Sequence, residues 1–465
     1  MRLWLGLSLL GSLWLCSATS AAAQALTPRS FEIDVHNGPV LGSSRMIGLG
    51  GAYSAVATGI SGVAWNPASY ASRELWETDS TAWDLALGFL IPSTYSGSDY
   101  DNNGDRSVNY DGFLYGDIGL GVQLGAFGFG FLLRSFTYEL RLDTRAISVG
   151  MLTGSYGVGY GFLDGQLVVG GGARTAAFSV KEGGVSLLEL AGTSPEVGVL
   201  VRLARQPWRL GAAFRAGVTV DDERIAGVTS NDLALPRAAH LPWELQLGFA
   251  YQAGDRPLNR RFVSPARAEA RLAAYYRARR DERAKAQVLR EARERGTPVT
   301  PDAEPNDARW LSEEDARVEA EDAQLERDVQ YSAVQRATGL RALPRAHVLF
   351  AGEVVVTGPT SEGVGVEGFL RGVRDTSGGA VTVSARLGVE LEPWAEHLKV
   401  RCGGYYEPSR FDAGYGRMHA TAGFDLHLFE WSVFGLLAQT AWRLSAVADL
   451  ARRYFDWGVS IGVWH

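Results

Sequence analysis

From about residue 80 onward, apolar side chains alternate with polar or small side chains. Residues 244–251, 380–392 and 417–429 show the pattern most clearly, with apolar side chains at every second position. A period of two is that of a β-strand whose two faces meet different surroundings. Runs of about ten residues also suit strands that cross a membrane at a tilt. A soluble β-sandwich alternates in the same way, so the pattern by itself leaves both fold classes open.

The number of these segments and the lengths of their links favour a barrel. The predicted strands are 80–92, 113–125, 127–140, 145–162, 165–180, 194–204, 207–220, 242–253, 345–357, 380–392, 397–406, 417–429, 431–446 and 453–464. Long links such as 93–112 and 181–193 alternate with short links such as 125–127, as external loops and periplasmic turns do in outer-membrane barrels. The sequence therefore predicts an all-β transmembrane antiparallel barrel of about 14 strands whose first strand runs outward.

One long link, residues 254–344, departs from this order. Counting the strands places it on the periplasmic side, where a short turn is expected. Ser264 with Pro265, and Ser312 with Asp315, resemble the capped starts of two helices. The first helical arm is basic and the second is acidic, which predicts an antiparallel helical hairpin. Two interpretations remain open: a hairpin that neutralises its own charge, or an arm that docks a periplasmic protein partner.

The first 25 residues are predicted to be a secretory signal peptide. Arg2 supplies a positive charge, residues 3–15 form an apolar core and alanines follow at a cleavage site. The apolar core is too short to span a membrane as a helix. Cys16 raises the alternative of a lipoprotein, but the residues before it are larger than lipidation requires. Cleavage leaves Cys402 as the remaining cysteine, which excludes an intramolecular disulfide framework.

Charge and composition narrow the function classes further. The net charge of −7 is mild and argues against a nucleic-acid partner, which requires a basic face. Glycine supplies 56 of the 465 residues and recurs inside apolar segments. Glycine within a strand often marks a place where another backbone approaches closely. These glycines predict a barrel wall packed against an internal segment.

A candidate for that internal segment precedes the first strand. Residues 26–78, which we call the hatch, contain two small-residue motifs, at 45–51 and 64–70. The candidate site residues are Arg45, Gly48, Gly50, Gly51, Asn66, Pro67 and Ala68. Small side chains allow a plug to pack tightly inside a barrel. Pro67 fixes its own φ and favours an extended Asn66, whose side chain is suited to bracing a turn.

This pair of motifs resembles the N-terminal hatch of the FadL-like outer-membrane transport proteins. The resemblance implies a 14-stranded barrel in the outer membrane of a Gram-negative bacterium, surrounded by lipid. It also implies passive uptake of hydrophobic small molecules such as fatty acids or hydrocarbons, without a cofactor or a catalytic residue. The same motifs resemble PorV-type barrels, which implies the alternative of a structural or secretion-associated barrel that recruits a protein partner.

The expected organisation is a signal peptide at 1–25, the hatch at 26–78 and the barrel at 79–465, with the helical insertion at 254–344 inside it. Two features depart from the FadL-like pattern. The helical insertion has no counterpart in it, and the terminal aromatic residue, Trp464, is penultimate rather than last.

Three further patterns suggest chemistry. Gly458, Ser460 and Gly462 match the spacing of a hydrolase nucleophile turn, but the chain ends before a helix can follow. Residues 99–105 place oxygen ligands before a glycine, as a calcium loop does, although Tyr110 occupies the position of the expected bidentate glutamate. We expect a solvated external loop there. The charges predicted to face the lumen are Arg386, Glu390, Lys399, Arg401, His419 and His427. Polar barrel interiors require such residues, so none is assigned a catalytic role.

Overall fold

The structure is a computed structural model of the full chain. It describes residues 24–72, 81–91, 98–105, 109–142, 145–220, 233–254, 347–412, 414–431 and 440–463, with isolated positions between 256 and 323. Nearly all of the predicted signal peptide at 1–25 and of the predicted helical insertion at 254–344 lies outside the described residues. The described positions 274–275, 277–278, 320 and 323 within that insertion are helical.

Fourteen antiparallel strands close into a barrel, which confirms the predicted fold class. Strands are numbered in chain order, and the wall consists of β2 (Thr81–Ile91), β3 (Asn109–Leu124), β4 (Phe127–Leu142), β5 (Arg145–Phe162), β6 (Leu167–Glu182), β7 (Val185–Val201), β8 (Trp208–Arg215), β11 (Glu244–Gly254), β12 (His347–Thr357), β14 (Thr382–Trp394), β15 (Leu398–Glu407), β16 (Arg417–Trp431), β17 (Thr440–Ala451) and β18 (Tyr454–Val463). Each strand pairs with the next wall strand along the chain, and β18 closes the barrel on β2.

The two faces of the wall have opposite character. Leu247 and Phe249 point outward and are about half exposed, whereas Gln246, the residue before Leu247, is buried in the interior. Charged side chains such as Arg401 and His419 are also buried inside the barrel. An apolar exterior around a polar interior is typical of a membrane barrel and inverts the arrangement of a soluble protein. Among the described residues, no helix combines the length and apolarity needed to cross a membrane.

Several strand boundaries differ from the prediction. The expected long link at 181–193 is wrong, because β6 and β7 are joined by Gly183 and Gly184 alone. Both glycines have positive φ, at 57° and 84°, as a tight hairpin turn requires. The strand predicted at 207–220 leaves the wall after Arg215, and Trp431, predicted to start a new strand, is the last residue of β16. Long and short links therefore do not alternate strictly.

A small second sheet lies where the long links meet. Its strands are β1 (Glu32–Asp34), β9 (Val218–Val220), β10 (Ala238–Leu241) and β13 (Gly363–Gly365). The strand β1 lies parallel between β10 and β13, which belong to the links after β8 and β12. A short helix, α2 (Val366–Arg371), follows β13. We call this side of the barrel the loop end and the opposite side the turn end. The hatch therefore begins at the loop end.

From the loop end the hatch passes through the lumen to the turn end. It contains the helix α1 (Ser44–Gly48) and two 3₁₀ helices, Ile60–Gly62 and Pro67–Ala71. Its apolar side chains are buried, and Phe31, Ile33 and Leu49 have no exposed surface. At its far end, Ser72 accepts a hydrogen bond from Arg202, which also donates to Gly165 in the turn between β5 and β6. The hatch thus occupies the barrel from one end to the other.

Candidate functional site

The first hatch motif fits against β14, β15 and β16 because it contains glycine. Gly50 and Gly51 have φ of 60° and 74°, a region that favours glycine. A Cβ atom on Gly50 would lie 2.6 Å from the backbone nitrogen of Gly404, and one on Gly48 would lie 3.3 Å from Cβ of Arg401. Both backbone conformation and wall contact therefore require small residues here.

Glycines in the wall complete the fit from the other side. A Cβ atom on Gly388 would lie 2.4 Å from the carbonyl oxygen of Leu49, and one on Gly211 would lie 2.3 Å from that of Ser54. On Gly170 it would lie 2.1 Å from the carbonyl oxygen of Pro67. The glycine content predicted a closely packed internal segment. It did not identify these particular glycines, because their partners depend on which face of each strand is inside.

The second hatch motif is organised by Asn66, which is fully buried. Its Oδ1 accepts a hydrogen bond from Ala68 N at 3.0 Å and so caps the second 3₁₀ helix, with Pro67 at the first helical position. Its Nδ2 donates to the carbonyl oxygens of Ser54 at 2.9 Å and of Val199 in β7 at 3.0 Å. Asn66 thus joins two parts of the hatch to the wall.

The two motifs lie against different walls but are connected. The first motif packs on β14 to β16, and the second packs on β5 to β7. Trp65 donates from Nε1 to the carbonyl oxygen of Gly51 at 2.9 Å. Together with the bond from Asn66 to Ser54, this contact makes the folded hatch one unit. The spacing in the sequence indicated both motifs but not this connection.

Replacing Asn66 by alanine is expected to destabilise the hatch by about 2–4 kcal/mol, since it removes a cap and leaves two buried carbonyl oxygens without their donor. Hydrogen exchange of amides 54–71 in detergent-solubilised protein measures the effect. Asn37→Ala is the matched control, because Asn37 is only half buried and its side-chain contact in the described structure is a 3.4 Å approach to Sδ of Met151. Equal exchange in the two variants would contradict the bracing role.

A buried ion-pair network holds the first motif. Arg45 donates from Nε and Nη2 to the two carboxylate oxygens of Glu390, both at 2.9 Å. Arg401 donates to the same carboxylate at 2.6 Å and to Asp425 at 2.6 and 2.8 Å. Bidentate guanidinium–carboxylate contacts fix orientation as well as distance. The network therefore ties the hatch to three adjacent wall strands.

A second buried network meets the hatch nearer the loop end. Val40 donates its backbone N–H to the hydroxyl of Tyr405 at 3.1 Å, and that hydroxyl donates to Asp449 at 2.7 Å. The two ring nitrogens of His419 lie 2.8 Å from Asp449 and 2.6 Å from Glu407. Carboxylates at both nitrogens favour a doubly protonated ring. The sequence predicted His419 in the lumen, whereas Tyr405 and Asp449 were missed, although the strand period places them on the same face.

The hatch start is fixed by a third set of contacts. Asp34 accepts hydrogen bonds from Arg410 Nε at 2.8 Å and from the hydroxyl of Ser377 at 2.9 Å. Nearby, burial in the lumen lowers the pKa of His36 to about 4, and the charge of Arg410 acts in the same direction. His36 is therefore neutral at pH 7.

Six aromatic rings pack together beside the hatch start. Ring centroids of Tyr100 lie 4.9–6.3 Å from those of its neighbours. The group consists of Tyr100, Tyr110, Phe113, Phe136, Tyr138 and Tyr454. Three of its tyrosines border a recess that is partly open to solvent, and its other side is formed by hatch residues 36–38 and by charged groups including Asp34 and Arg410. The recess has an aromatic wall and a polar wall.

The candidate calcium loop at 99–105 is folded at the loop end, and the expectation of a solvated loop is wrong, because Asp99, Asn102 and Asn103 are buried. Its side chains bond one another and the backbone: Gly104 N donates to Asp99, and Asn103 Nδ2 donates to Asp101 and Asp375, all at 3.2 Å. Burial raises the pKa of Asp375 to about 6. Within the described residues, no group of three or more histidine, cysteine, aspartate or glutamate side chains is placed to hold a metal ion. The loop is therefore described as a self-bonded turn.

Ser460, from the nucleophile-like pattern, lies within the wall strand β18. Its hydroxyl is 3.0 Å from that of Ser44 at the start of α1. A strand position in contact with the hatch lacks the strand–turn–helix geometry of a hydrolase nucleophile. Ser460 forms part of the seat for the hatch, whereas Gly458 faces Leu90 and Gly462 faces Arg443 in the neighbouring wall strands.

The cavities around the hatch are more polar than a channel for hydrophobic solutes leads one to expect. One cavity near α1 is bordered by charged groups that include Arg45, Glu390, Lys399 and Arg443. Another lies between hatch residues 36–41 and the opposite wall, and is bordered by four arginines. Charged residues in the lumen were predicted from sequence, but their position along the cavities was not.

Comparisons with known proteins find similarity at the level of structure. No protein-family model matches the sequence, and no curated protein aligns with it significantly. The chain is similar to the monoaromatic hydrocarbon channel CymD, with 9% identity, a TM-score of 0.46 and coverage of 91% of this chain and 96% of that one. It is similar to the Pseudomonas putida toluene transporter TodX, with 10% identity, a TM-score of 0.46 and coverage of 92% and 97%. A Pseudomonas aeruginosa FadL homologue has 11% identity, a TM-score of 0.43 and coverage of 95% and 97%. The solved structures to which this chain is similar therefore include members of the FadL-like family, which its hatch motifs resemble.

Proposed function

We propose that this protein is a passive channel for hydrophobic small molecules in the outer membrane of a Gram-negative bacterium. The observation that carries the proposal is the hatch, which runs through a closed barrel from the loop end to the turn end and is held by non-covalent contacts. Passage of a solute then requires the hatch to move. We infer that the chain is organised as a signal peptide at 1–25, a hatch at 26–78 and a barrel at 79–465 that carries a helical insertion at 254–344.

The aromatic recess at the loop end supports an apolar solute. Tyr100, Tyr110 and Tyr138 face the recess beside hatch residues 36–38. Aromatic side chains bind flat apolar molecules over a large contact area. A solute held there would touch the start of the hatch, so that its binding energy can act on the segment that blocks the lumen. No reaction is proposed, and no residue is given a catalytic role.

A reversible bond between hatch and wall tests the proposal. Gly48 in α1 and Gly423 in β16 face each other, and a Cβ atom on either would lie 3.6 Å from Cα of the other. Because a Cα–Cβ bond adds about 1.5 Å, the two Cα atoms lie no more than about 5 Å apart, inside the limit beyond which two cysteines cannot be bridged. The double variant Gly48→Cys/Gly423→Cys is made with Cys402→Ala, because Cys402 is an exposed free cysteine.

Cells that carry the oxidised variant are expected to take up radiolabelled naphthalene no faster than cells without the protein, and a reductant is expected to restore uptake. The single variant Gly48→Cys in the Cys402→Ala background is the control and should respond to neither treatment. Uptake that is unchanged by the closed disulfide would contradict a channel in which the hatch moves.

A second candidate is a PorV-like barrel that recruits a periplasmic or secreted protein. The charged borders of the cavities favour it, because they place ion pairs along the route that a hydrophobic solute would take. Such a barrel needs no hatch movement. Uptake equal in cells with and without the protein, together with co-purification of a partner that the closed disulfide does not displace, would support recruitment instead.

A further inference from the structure

The cavity between hatch and wall that carries four arginines is called the chamber, and its space, including the part open to solvent, amounts to about 790 Å³. It lies between hatch residues 36–41 on one side and Ala64 and Trp65 of the hatch on another. Its remaining borders come from wall strands β3 to β6, β8, β11 and β14 and from Leu241 in β10.

The cationic side of the chamber presents hydrogen-bond donors that other groups do not use. The four arginines are Arg134, Arg174, Arg215 and Arg386. Within the described structure, Nε and Nη1 of the buried Arg174, Nη1 of Arg386 and the hydroxyl of the buried Tyr115 have no hydrogen-bond partner. A buried donor without an acceptor is costly, and a buried guanidinium most of all. These donors are suited to an acceptor that enters the chamber.

The carboxylates near these arginines leave the donors available. Glu244 is the one carboxylate among the described residues that border the chamber, and its nearest approach to Arg174 is 3.5 Å. Glu353 lies 3.9 Å from Arg386, but its Oε2 already accepts the backbone N–H groups of Tyr53 and Ser54. Glu196 accompanies Arg215 at 3.5 Å, and Asp117 lies across the strand pair from Arg134. Most of the carboxylates that neutralise these arginines therefore lie outside the chamber.

The rest of the lining is apolar and partly aromatic. Trp65, Phe136 and Met151 border the chamber together with Val40, Leu41 and Leu241. The ring of Trp65 also lies 5.7 Å from the guanidinium of Arg386. Aromatic and thioether groups favour contact with a flat ring. The chamber thus has one side suited to an anionic group and one side suited to a ring.

We propose that the chamber binds a compact aromatic carboxylate, with the carboxylate accepting hydrogen bonds from Arg174, Arg386 and Tyr115 and the ring lying among Trp65, Phe136 and Met151. Guanidinium groups bind carboxylates more strongly than neutral acceptors. The ligand would touch both the beginning and the middle of the hatch. This proposal rests on the proposed channel function and names the solute class that its interior selects.

The test compares two probes with the same ring. Binding of 4-bromobenzoate and of 4-bromobenzyl alcohol to the full-length protein in neutral detergent is measured by calorimetry. The carboxylate is expected to bind at least about ten-fold more tightly, because charge-assisted hydrogen bonds exceed neutral ones by about 1 kcal/mol or more. In crystals grown with 4-bromobenzoate, the anomalous signal of bromine is expected beside Phe136 and Met151.

Arg174→Gln is expected to abolish the preference for the carboxylate, and Arg141→Gln is the matched control because Arg141 is well exposed near the loop end. If Arg174→Gln does not fold, Tyr115→Phe and the position of bromine in the wild-type protein decide the question. Equal binding of the two probes, or bromine outside the chamber, would overturn the chamber proposal. The channel proposal would then stand or fall separately, on whether the closed disulfide between residues 48 and 423 stops uptake of uncharged naphthalene.

Discussion

Replacing Gly170 by valine is expected to drive the second 3₁₀ helix of the hatch out of its place in the wall and to open a permanent path through the lumen. A Cβ atom at this position would lie 2.1 Å from the carbonyl oxygen of Pro67, 2.4 Å from its carbonyl carbon and 2.7 Å from Ala68 N. All three are backbone atoms, so no change of rotamer can relieve the contact. Overpacking in a close-packed interior typically costs about 1–3 kcal/mol, and backbone contacts place this variant at the upper end or beyond it.

The barrel wall itself should survive this change, because β6 retains its pairing with β5 and β7 on either side. Conductance of the purified protein in planar bilayers measures the opening, and cells should become sensitive to large polar antibiotics. Gly171→Val is the matched control, one residue along the strand. Its Cβ would lie 3.3 Å from the carbonyl oxygen of Glu196 and 3.6 Å from a methyl group of Val197, and no hatch atom lies among its nearest neighbours. Equal conductance in both variants would show that hatch contact does not close the lumen.

The barrel was predictable because strand alternation is a local property. Side chains two residues apart share a face, so the periodicity of segments such as 244–251 indicates a strand before its partners are known. The predicted link from β6 to β7 was wrong. Buried and exposed positions of β7 alternate regularly from residue 188 onward, but a register shift beside Leu187 interrupts the period near the start of the strand.

The small second sheet could not be predicted for a different reason. The strand β1 has three residues and pairs with β10 and β13, which lie far along the chain. Segments this short have too few positions to show a period, and their pairing depends on where the barrel closure brings the long links. The predicted strand at 207–220 ran through this junction because β8 and β9 share one alternating pattern.

The hatch shows the same division between local and distant information. Gly50, Gly51 and Asn66 were identifiable because their roles depend on backbone conformation and on a cap two residues away. The partner of Arg45 was not identifiable, since Glu390 lies 345 residues further along and many wall positions carry carboxylates. Which of those carboxylates reaches the hatch depends on the stagger between neighbouring strands. The sequence predicted the order of the strands but not their stagger.

Arg45→Ala is expected to loosen the hatch near α1 while the barrel remains folded. The change removes two hydrogen bonds of 2.9 Å to Glu390, whose charge stays buried. Glu390 keeps its bond to Arg401, so the loss should fall below the 3–5 kcal/mol typical of breaking a buried ion pair outright. We expect about 2–3 kcal/mol, from the strength of hydrogen bonds between charged groups.

That loss corresponds to a roughly 30- to 150-fold increase in the population of the loosened hatch, since 1.4 kcal/mol is a factor of ten. Hydrogen exchange of amides 46–52 should therefore accelerate by about that factor under conditions in which the exchange rate follows the equilibrium population of the open hatch. Arg141→Ala is the control, because Arg141 and Asp111 form an exposed pair worth at most about 1 kcal/mol.

In the double variant Arg45→Ala/Glu390→Gln, where the buried charge is also removed, we expect part of the protection to return. If instead the two substitutions add without coupling, Arg45 does not hold the hatch through Glu390, and the glycine contacts alone keep it in place.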